Sequence, residues 1–235
     1  MSSYSKSVFF ASVMCLVCSL LLTAASSGLK VFQEKNILLD KQRNILASVG
    51  LVAGKQSVSD EDIRKRYAEY IQAVWVKPSG EIVTKADRGE QGLPIYLYRK
   101  GEVLEAYIVP INTRGLWGKI FGYLAIKNDG ETISGFTVYR HSETPGLGGE
   151  IEKRWFQQNF AGKKIVNQQG GFVSIAIAKG TVQDRIPRER QPNYVDGISG
   201  ATLTGKYLTA GLKEILSAYE PVSVRFRKNR INPEN

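Results

Sequence analysis

Residues 120–140 read I-F-G-Y-L-A-I-K-N-D-G-E-T-I-S-G-F-T-V-Y-R. Asn128-Asp129-Gly130 sits in the middle, and Asp-Gly suits the positive φ of a tight hairpin turn. Aromatic and β-branched residues flank it on both sides, so the stretch predicts two antiparallel strands. Upstream, residues 94–111, P-I-Y-L-Y-R-K-G-E-V-L-E-A-Y-I-V-P-I, predict a second hairpin around Lys100-Gly101. Before these hairpins the period changes. S-V-S-D-E-D-I-R-K-R-Y-A-E-Y-I, residues 57–71, predicts a helix with Ser59 as N-cap and acids at 60 to 62 in its first turn. Leu38, Leu39, Ile45, Leu46 and Val49 also recur at helical intervals, with Gly50 as a stop. Downstream, E-I-E-K-R-W-F-Q-Q-N-F (150–160) reads as a helix and G-G-F-V-S-I-A-I-A-K-G (170–180) as a short strand. From Thr202 a helical face of Leu203, Tyr207, Leu208, Leu212, Ile215, Leu216 and Tyr219 runs until Pro221 ends it. Helices, then hairpins, then mixed elements predict an α+β fold, a largely antiparallel sheet with flanking helices.

The N-terminus obeys another rule. Between Lys6 and Lys30, residues 7–29 carry no charge, a run of 23 positions. A transmembrane helix needs about 20. The competing reading is a cleaved signal peptide, because T-A-A-S-S supplies small residues near the end of the run. The run is long for a signal sequence, so residues 1–30 are read as a retained single-pass anchor. Basic residues lie on both sides of it and do not orient it. Cys15 and Cys18 form C-x-x-C inside this run, with no second pair and no nearby histidine. They read as small apolar residues of a membrane helix, not as a redox or metal pair. No other cysteine exists in the 235 residues, so redox chemistry here requires a bound cofactor.

The chain is 43 % hydrophobic and 23 % charged, which is the composition of a folded protein. Its net charge is +10, but the basic residues are mostly interleaved with acids. The densest basic run, R-F-R-K-N-R at 225–230, comes with no zinc-finger spacing or RNA-binding motif, so no nucleic-acid partner is expected.

Chemistry concentrates in D-G-I-S-G-A-T-L-T, residues 196–204, at the start of the last helix. Free N–H groups and small residues there suit a phosphate. The structural alternative is Ser199 serving as an ordinary N-cap. His141 is the one histidine, and no G-x-S-x-G elbow is present. A hydrolytic triad would need His141 to fold back onto Ser199 or Thr202, and one imidazole makes a poor metal site. Two loops have unusual composition. R-H-S-E-T-P-G-L-G-G-E, residues 140–150, prescribes its backbone path with Pro145 and three glycines. T-R-G-L-W-G, residues 113–118, places Trp117 either in the core or against an aromatic ligand.

Together, H-S-E-T-P-G-L-G, G-L-W and D-G-I-S-G-A-T resemble the flavin-binding domain shared by subunits of membrane redox pumps. The anchor and D-K-Q-R-N-I-L, residues 40–46, resemble the C-subunit branch of the sodium-translocating NADH:quinone reductases rather than the related subunit of the RNF complex. The resemblance covers nearly the whole chain. It implies FMN attached covalently through its phosphate to Thr202, with Asp196 read by the flavin transferase that uses FAD as donor. Ser199, Gly200 and Ala201 would keep the backbone open to the phosphate. Glu143, Thr144, Leu147 and Gly148 would lie nearest the isoalloxazine, and Leu116 and Trp117 would form an apolar wall. His141 would either hydrogen-bond nearby or be structural. Thr204 is the second hydroxyl to examine.

The same resemblance implies an anchor over 1–30, a helical and mixed region over 31–100, and a covalent FMN domain over 101–235. It implies a bacterial inner-membrane location with the soluble domain in the periplasm. The partners would be the other subunits of a complex that oxidises NADH, reduces ubiquinone and expels sodium. No catalytic or metal-binding residue is expected in this chain. The alternatives are the equivalent RNF subunit and a membrane-tethered flavin-binding module without turnover.

Overall fold

The structure, a computed structural model, describes residues 3–52 and 58–231. The outermost residues of the expected anchor (1–2) and of the expected flavin domain (232–235) lie outside these. The chain divides into two compact units, residues 1–40 and 41–235.

The first unit is helical. Helix α1 runs Ser3–Ser48 without interruption, into the second unit. Among the described residues it is the one helix long and apolar enough to cross a membrane, with a mean hydropathy of 2.4 over its most apolar window. Three hydroxyls of its apolar run, Ser12, Ser19 and Thr23, bond back to the helix. Ser12 and Thr23 hydroxyls donate to the carbonyls of Val8 and Ser19 at 2.9 and 2.7 Å. Such back-bonding lets hydroxyls sit in an apolar helix without an unpaired donor. Cys15 and Cys18 are exposed on it.

In the second unit the order is α2 (Asp60–Tyr70), β1 (Ile71–Val76), β2 (Ile82–Val83), β3 (Leu93–Lys100), β4 (Val103–Arg114), β5 (Lys119–Lys127) and β6 (Ile133–Arg140). A 3-10 turn (Gly148–Glu152), α3 (Arg154–Gln158), β7 (Ala176–Ile177), α4 (Val182–Arg185), a second 3-10 turn (Arg188–Asn193), β8 (Tyr194–Val195) and α5 (Thr202–Ile231) follow. One sheet has the order β2-β1-β3-β4-β5-β6, antiparallel throughout, and therefore runs unbroken across position 100. Both predicted hairpins form, and Gly130 takes φ +69° in the Asp-Gly turn. Ser59 caps α2 by accepting from Asp62 N–H at 3.1 Å.

Helices cover both faces of the sheet. On one face Ile95, Leu97, Tyr107, Val109, Ile111, Leu124 and Ile126 meet Leu208, Leu212 and Leu216 of α5. Gly211 sets how close α5 comes: a Cβ there would lie 1.6 Å from Thr113 Oγ1 and 2.4 Å from Thr113 Cβ. On the other face, Thr137 donates to the Asn44 carbonyl at 3.2 Å, and Gly135 lies against the Ser48 carbonyl. Back on the α5 face, Phe136, paired with Leu124, stacks on Phe160 with centroids 4.2 Å apart, which ties the segment after β6 to the sheet.

Three sequence expectations need correction. The helix over 150–160 is split, because Lys153 is extended (φ −79°, ψ 143°) between the 3-10 turn and α3. The strand over 170–180 shrinks to Ala176–Ile177, paired in parallel with Tyr194–Val195. Pro221 does not end the last helix, which continues to Ile231. Proline removes one donor and leaves the Ser217 carbonyl without its helical partner. Tertiary contacts on either side hold the helix through it: Tyr219 OH donates to the Pro94 carbonyl at 2.6 Å, and Arg227 donates to the Gly130 carbonyl at 2.8 Å.

Candidate functional site

The β4–β5 hairpin ends in Gly115–Gly118, closed by the Gly115 N–H donating to the Gly118 carbonyl at 2.6 Å. β6 leads into the 141–149 loop beside it. There Pro145-Gly146 make a turn in which Leu147 N–H donates to the Thr144 carbonyl at 3.2 Å, and Gly146 supplies φ +74°. Glycine or asparagine is needed at the third position of such a turn. Gly149 N–H donates to the same carbonyl at 2.9 Å.

Glu143 occupies the centre. It is buried, and both carboxylate oxygens accept from the protein: Oε1 from Trp117 N–H at 3.0 Å and Oε2 from the Thr204 hydroxyl at 2.5 Å. Its own N–H donates to His141 Nδ1 at 3.0 Å. That nitrogen therefore carries no proton, and Nε2 faces Glu152 at 3.3 Å as the donor. Hydrogen bonds from Lys153, and to a lesser degree from His141, hold the Glu152 carboxyl below its ordinary pKa. With both ring nitrogens engaged within the protein, His141 has no nitrogen left to activate Ser199 or Thr202.

The 196–204 stretch forms a turn and then α5. Ala201 N–H donates to the Ile198 carbonyl at 3.1 Å, with Gly200 at φ +72°. Gly205 N–H donates to the Ala201 carbonyl at 3.0 Å, which makes Ala201 the N-cap in place of Ser199. Alanine offers no side-chain oxygen, so the N–H groups of residues 202–204 have no cap from it. Thr202 and Ser199 are exposed, whereas Thr204 is buried with its hydroxyl spent on Glu143. Leu147 covers Gly200: a Cβ on that glycine would sit 2.8 Å from Leu147 Cδ2. The 144–149 loop and the 199–202 turn are thereby joined.

Asp196 is held by the start of α4. Its Oδ1 accepts from Val182 N–H at 2.6 Å, and Gly197 N–H donates to the Gly180 carbonyl at 2.8 Å. The pair staples the turn to the 178–182 segment. Leu116 is half-buried; Trp117 and Leu147 are 70 % and 44 % exposed, and Leu203 adds an exposed apolar side chain on the first turn of α5. Thr144 is exposed and Gly148 is buried.

The sequence missed one wall. A cavity of about 270 Å³ opens beside Thr202, lined by Ile177, Lys179, Tyr194, Lys206 and Thr209 among others. Ile177 N–H donates to Thr209 Oγ1 at 2.9 Å, which ties β7 to α5. The spacing of Lys206, one turn after Thr202, was a signal available in the sequence. Nothing local marked Lys179, which arrives through the β7–β8 pairing.

Residues 115–217 match the FMN-binding domain family. Over most of its length the chain is similar to the C subunit of the Na(+)-translocating NADH-quinone reductase of Pseudomonas aeruginosa, at 32 % identity over 87 % of this chain and 88 % of the relative. The corresponding protein of Yersinia pestis is 34 % identical, over 86 % of this chain and 84 % of the relative. Among solved structures, the C subunit of the Na(+)-translocating NADH-quinone reductase from Parabacteroides distasonis superposes with a TM-score of 0.70 at 33 % identity, over 83 % of this chain and 96 % of that one. Shewanella oneidensis NqrC shares the fold, with a TM-score of 0.65 at 21 % identity over 85 % of this chain and 99 % of that one. The chain belongs to the family formed by the C subunits of the Na(+)-translocating NADH-quinone reductases.

Proposed function

We propose that this chain is the covalently flavinylated electron carrier of a Na(+)-translocating NADH:ubiquinone reductase, with FMN joined through its phosphate to Thr202 Oγ1. In the attachment, a flavin transferase breaks the pyrophosphate bond of FAD. The threonine oxygen forms a bond to the FMN phosphorus, its proton is released to water, and AMP leaves with the bridging oxygen. The contrast between two threonines carries this reading. Thr202 is exposed on an α5 N-terminus whose cap residue is alanine; Thr204 is buried and already bonded to Glu143.

The residues around Thr202 fit a phosphate monoanion. The N–H groups of the first turn of α5 and the helix dipole favour negative charge there. Lys206 and Lys179 line the adjoining cavity and add cationic donors. Gly200 is exposed and Ser199 adds an exposed hydroxyl, whereas Ala201 is buried and contributes only as the cap without a side-chain oxygen. Leu116, Trp117, Leu147 and Leu203 offer apolar surface to a flat ring, with Thr144 at its edge and Glu143 and Gly148 behind it. FMN supplies the one-electron redox chemistry. This chain holds it, excludes water from one side and presents the other to partners, and is not a catalytic centre alone.

Residues 1–30 would anchor the chain by a single pass in the bacterial inner membrane, with the flavin domain (101–235) and the mixed region before it (31–100) in the periplasm. The other subunits of the complex are its partners, and the transferase is its partner during maturation. The test is a denaturing gel of the full chain co-expressed with its flavin transferase. Flavin fluorescence should stay with the wild-type band and be absent from Thr202→Ala. Fluorescence retained by Thr202→Ala overturns the assignment.

A further inference from the structure

Glu143 and Thr204 are 4 % and 1 % exposed. A buried carboxylate survives only with its oxygens satisfied. Here the two donors come from different segments that frame Thr202: Trp117 N–H from the β4–β5 turn and the Thr204 hydroxyl from α5. Two glycines make the enclosure tight. A Cβ at Gly115 would lie 2.4 Å from Glu143 Oε1, and one at Gly148 would lie 2.4 Å from Thr204 Oγ1 and 2.8 Å from Glu143 Oε2. The His141 bond fixes the Glu143 backbone from behind.

We propose that Glu143 is a positioning residue: a buried strut that sets the separation of the Gly115–Gly118 turn from the first turn of α5, and so fixes Leu116 and Trp117 relative to a flavin on Thr202. It acts through Trp117 and Thr204, not by contact with the ring. This rests on Thr202 as the attachment site. A residue that serves fold stability alone would leave the flavin's spectrum and potential unchanged once the protein is folded and loaded. A strut would not.

The experiment uses the full chain in two preparations. Made with the flavin transferase, wild type, Thr204→Val and Thr204→Ser are compared by visible circular dichroism and flavin midpoint potential. Thr204→Val should stay loaded at Thr202 with an altered dichroism band and a shifted potential, and Thr204→Ser should restore both. Thr204→Val with wild-type spectrum and potential overturns the proposal, and so does Thr204→Ser displaced as far as Thr204→Val. Made without the transferase, the flavin-free chain is followed by amide hydrogen exchange. The Trp117 amide should lose its protection in Glu143→Ala and keep it in Glu143→Gln, which still offers Trp117 an acceptor. Protection unchanged in Glu143→Ala overturns the strut. If wild type carries no covalent flavin, the attachment reading fails and the exchange result still decides the strut. If Glu143→Ala does not fold, the two Thr204 variants decide it.

Discussion

Replacing Thr202 and Thr204 separately by valine changes two hydroxyls in the same helical turn and should give opposite outcomes. Valine matches threonine in shape, so neither change opens a cavity. Thr204 is buried, and its hydroxyl gives Glu143 Oε2 a hydrogen bond of 2.5 Å. A bond to a carboxylate contributes about 1.5–3 kcal/mol, and leaving the buried oxygen unpaired places the loss toward the upper end. For a domain of this size each kcal/mol moves Tm by about 2–4 °C, so Thr204→Val should melt roughly 5–10 °C lower. Thr202 is exposed, and its replacement should change stability by no more than about 0.5 kcal/mol. Urea and thermal unfolding of flavin-free protein give the stabilities, and in-gel fluorescence after co-expression with the transferase gives the loading. Thr202→Val should be stable and unflavinylated; Thr204→Val should be destabilised and flavinylated. Equal stabilities would refute the burial argument. Flavin kept by Thr202→Val and lost by Thr204→Val would refute the choice of acceptor.

Further outcomes test other parts of the account. Gly211→Ala gains about 1 kcal/mol of helix propensity but drives a methyl into Thr113, and should lose a net of about 2 kcal/mol by urea unfolding; a stabilised variant would contradict the close approach of α5 to β4. Asp196→Ala removes the acceptor of Val182 N–H and should cost about 1 kcal/mol, with reduced flavin loading. Asp196→Asn retains an acceptor and should recover the stability, so any remaining loss of loading belongs to recognition by the transferase. Burial raises the phenol of Tyr67 to about 12 and those of Tyr107, Tyr123 and Tyr219 further. Unfolded tyrosines titrate near pH ~10, so above that the unfolded state has lost more protons and stability falls as pH rises. The urea midpoint should show no tyrosine-linked fall below pH ~10 and should decline as pH climbs through about 12; an unchanged midpoint across that interval would contradict the burial of these side chains.

Local chemistry made much of the fold legible. The Asn128-Asp129-Gly130 turn, the Lys100-Gly101 hairpin, the Ser59 cap and the uncharged N-terminal run each carry their signal within a few residues. Strands β1 and β2 were missed because Ile71–Val76 follows α2 directly, with no turn residue to mark the change of period. Pro221 misled because its local effect opposes a helix that distant contacts at Pro94 and Gly130 sustain. At the site, the motifs located all three loops, but not their connection. That Glu143 joins Trp117 to Thr204 depends on residues 26 and 61 positions apart, which no periodicity reports. The same distance hid the burial of Thr204 and the arrival of Lys179 beside Thr202.

The central claim is a phosphoester on one oxygen. Peptide mass spectrometry of the full chain co-expressed with its flavin transferase, with fragmentation across residues 196–206, tests it most directly. The account predicts an FMN-sized adduct on Thr202 and unmodified Ser199 and Thr204. An adduct on Ser199 or Thr204, or an unmodified peptide from a preparation in which the transferase is shown to be active, would contradict it.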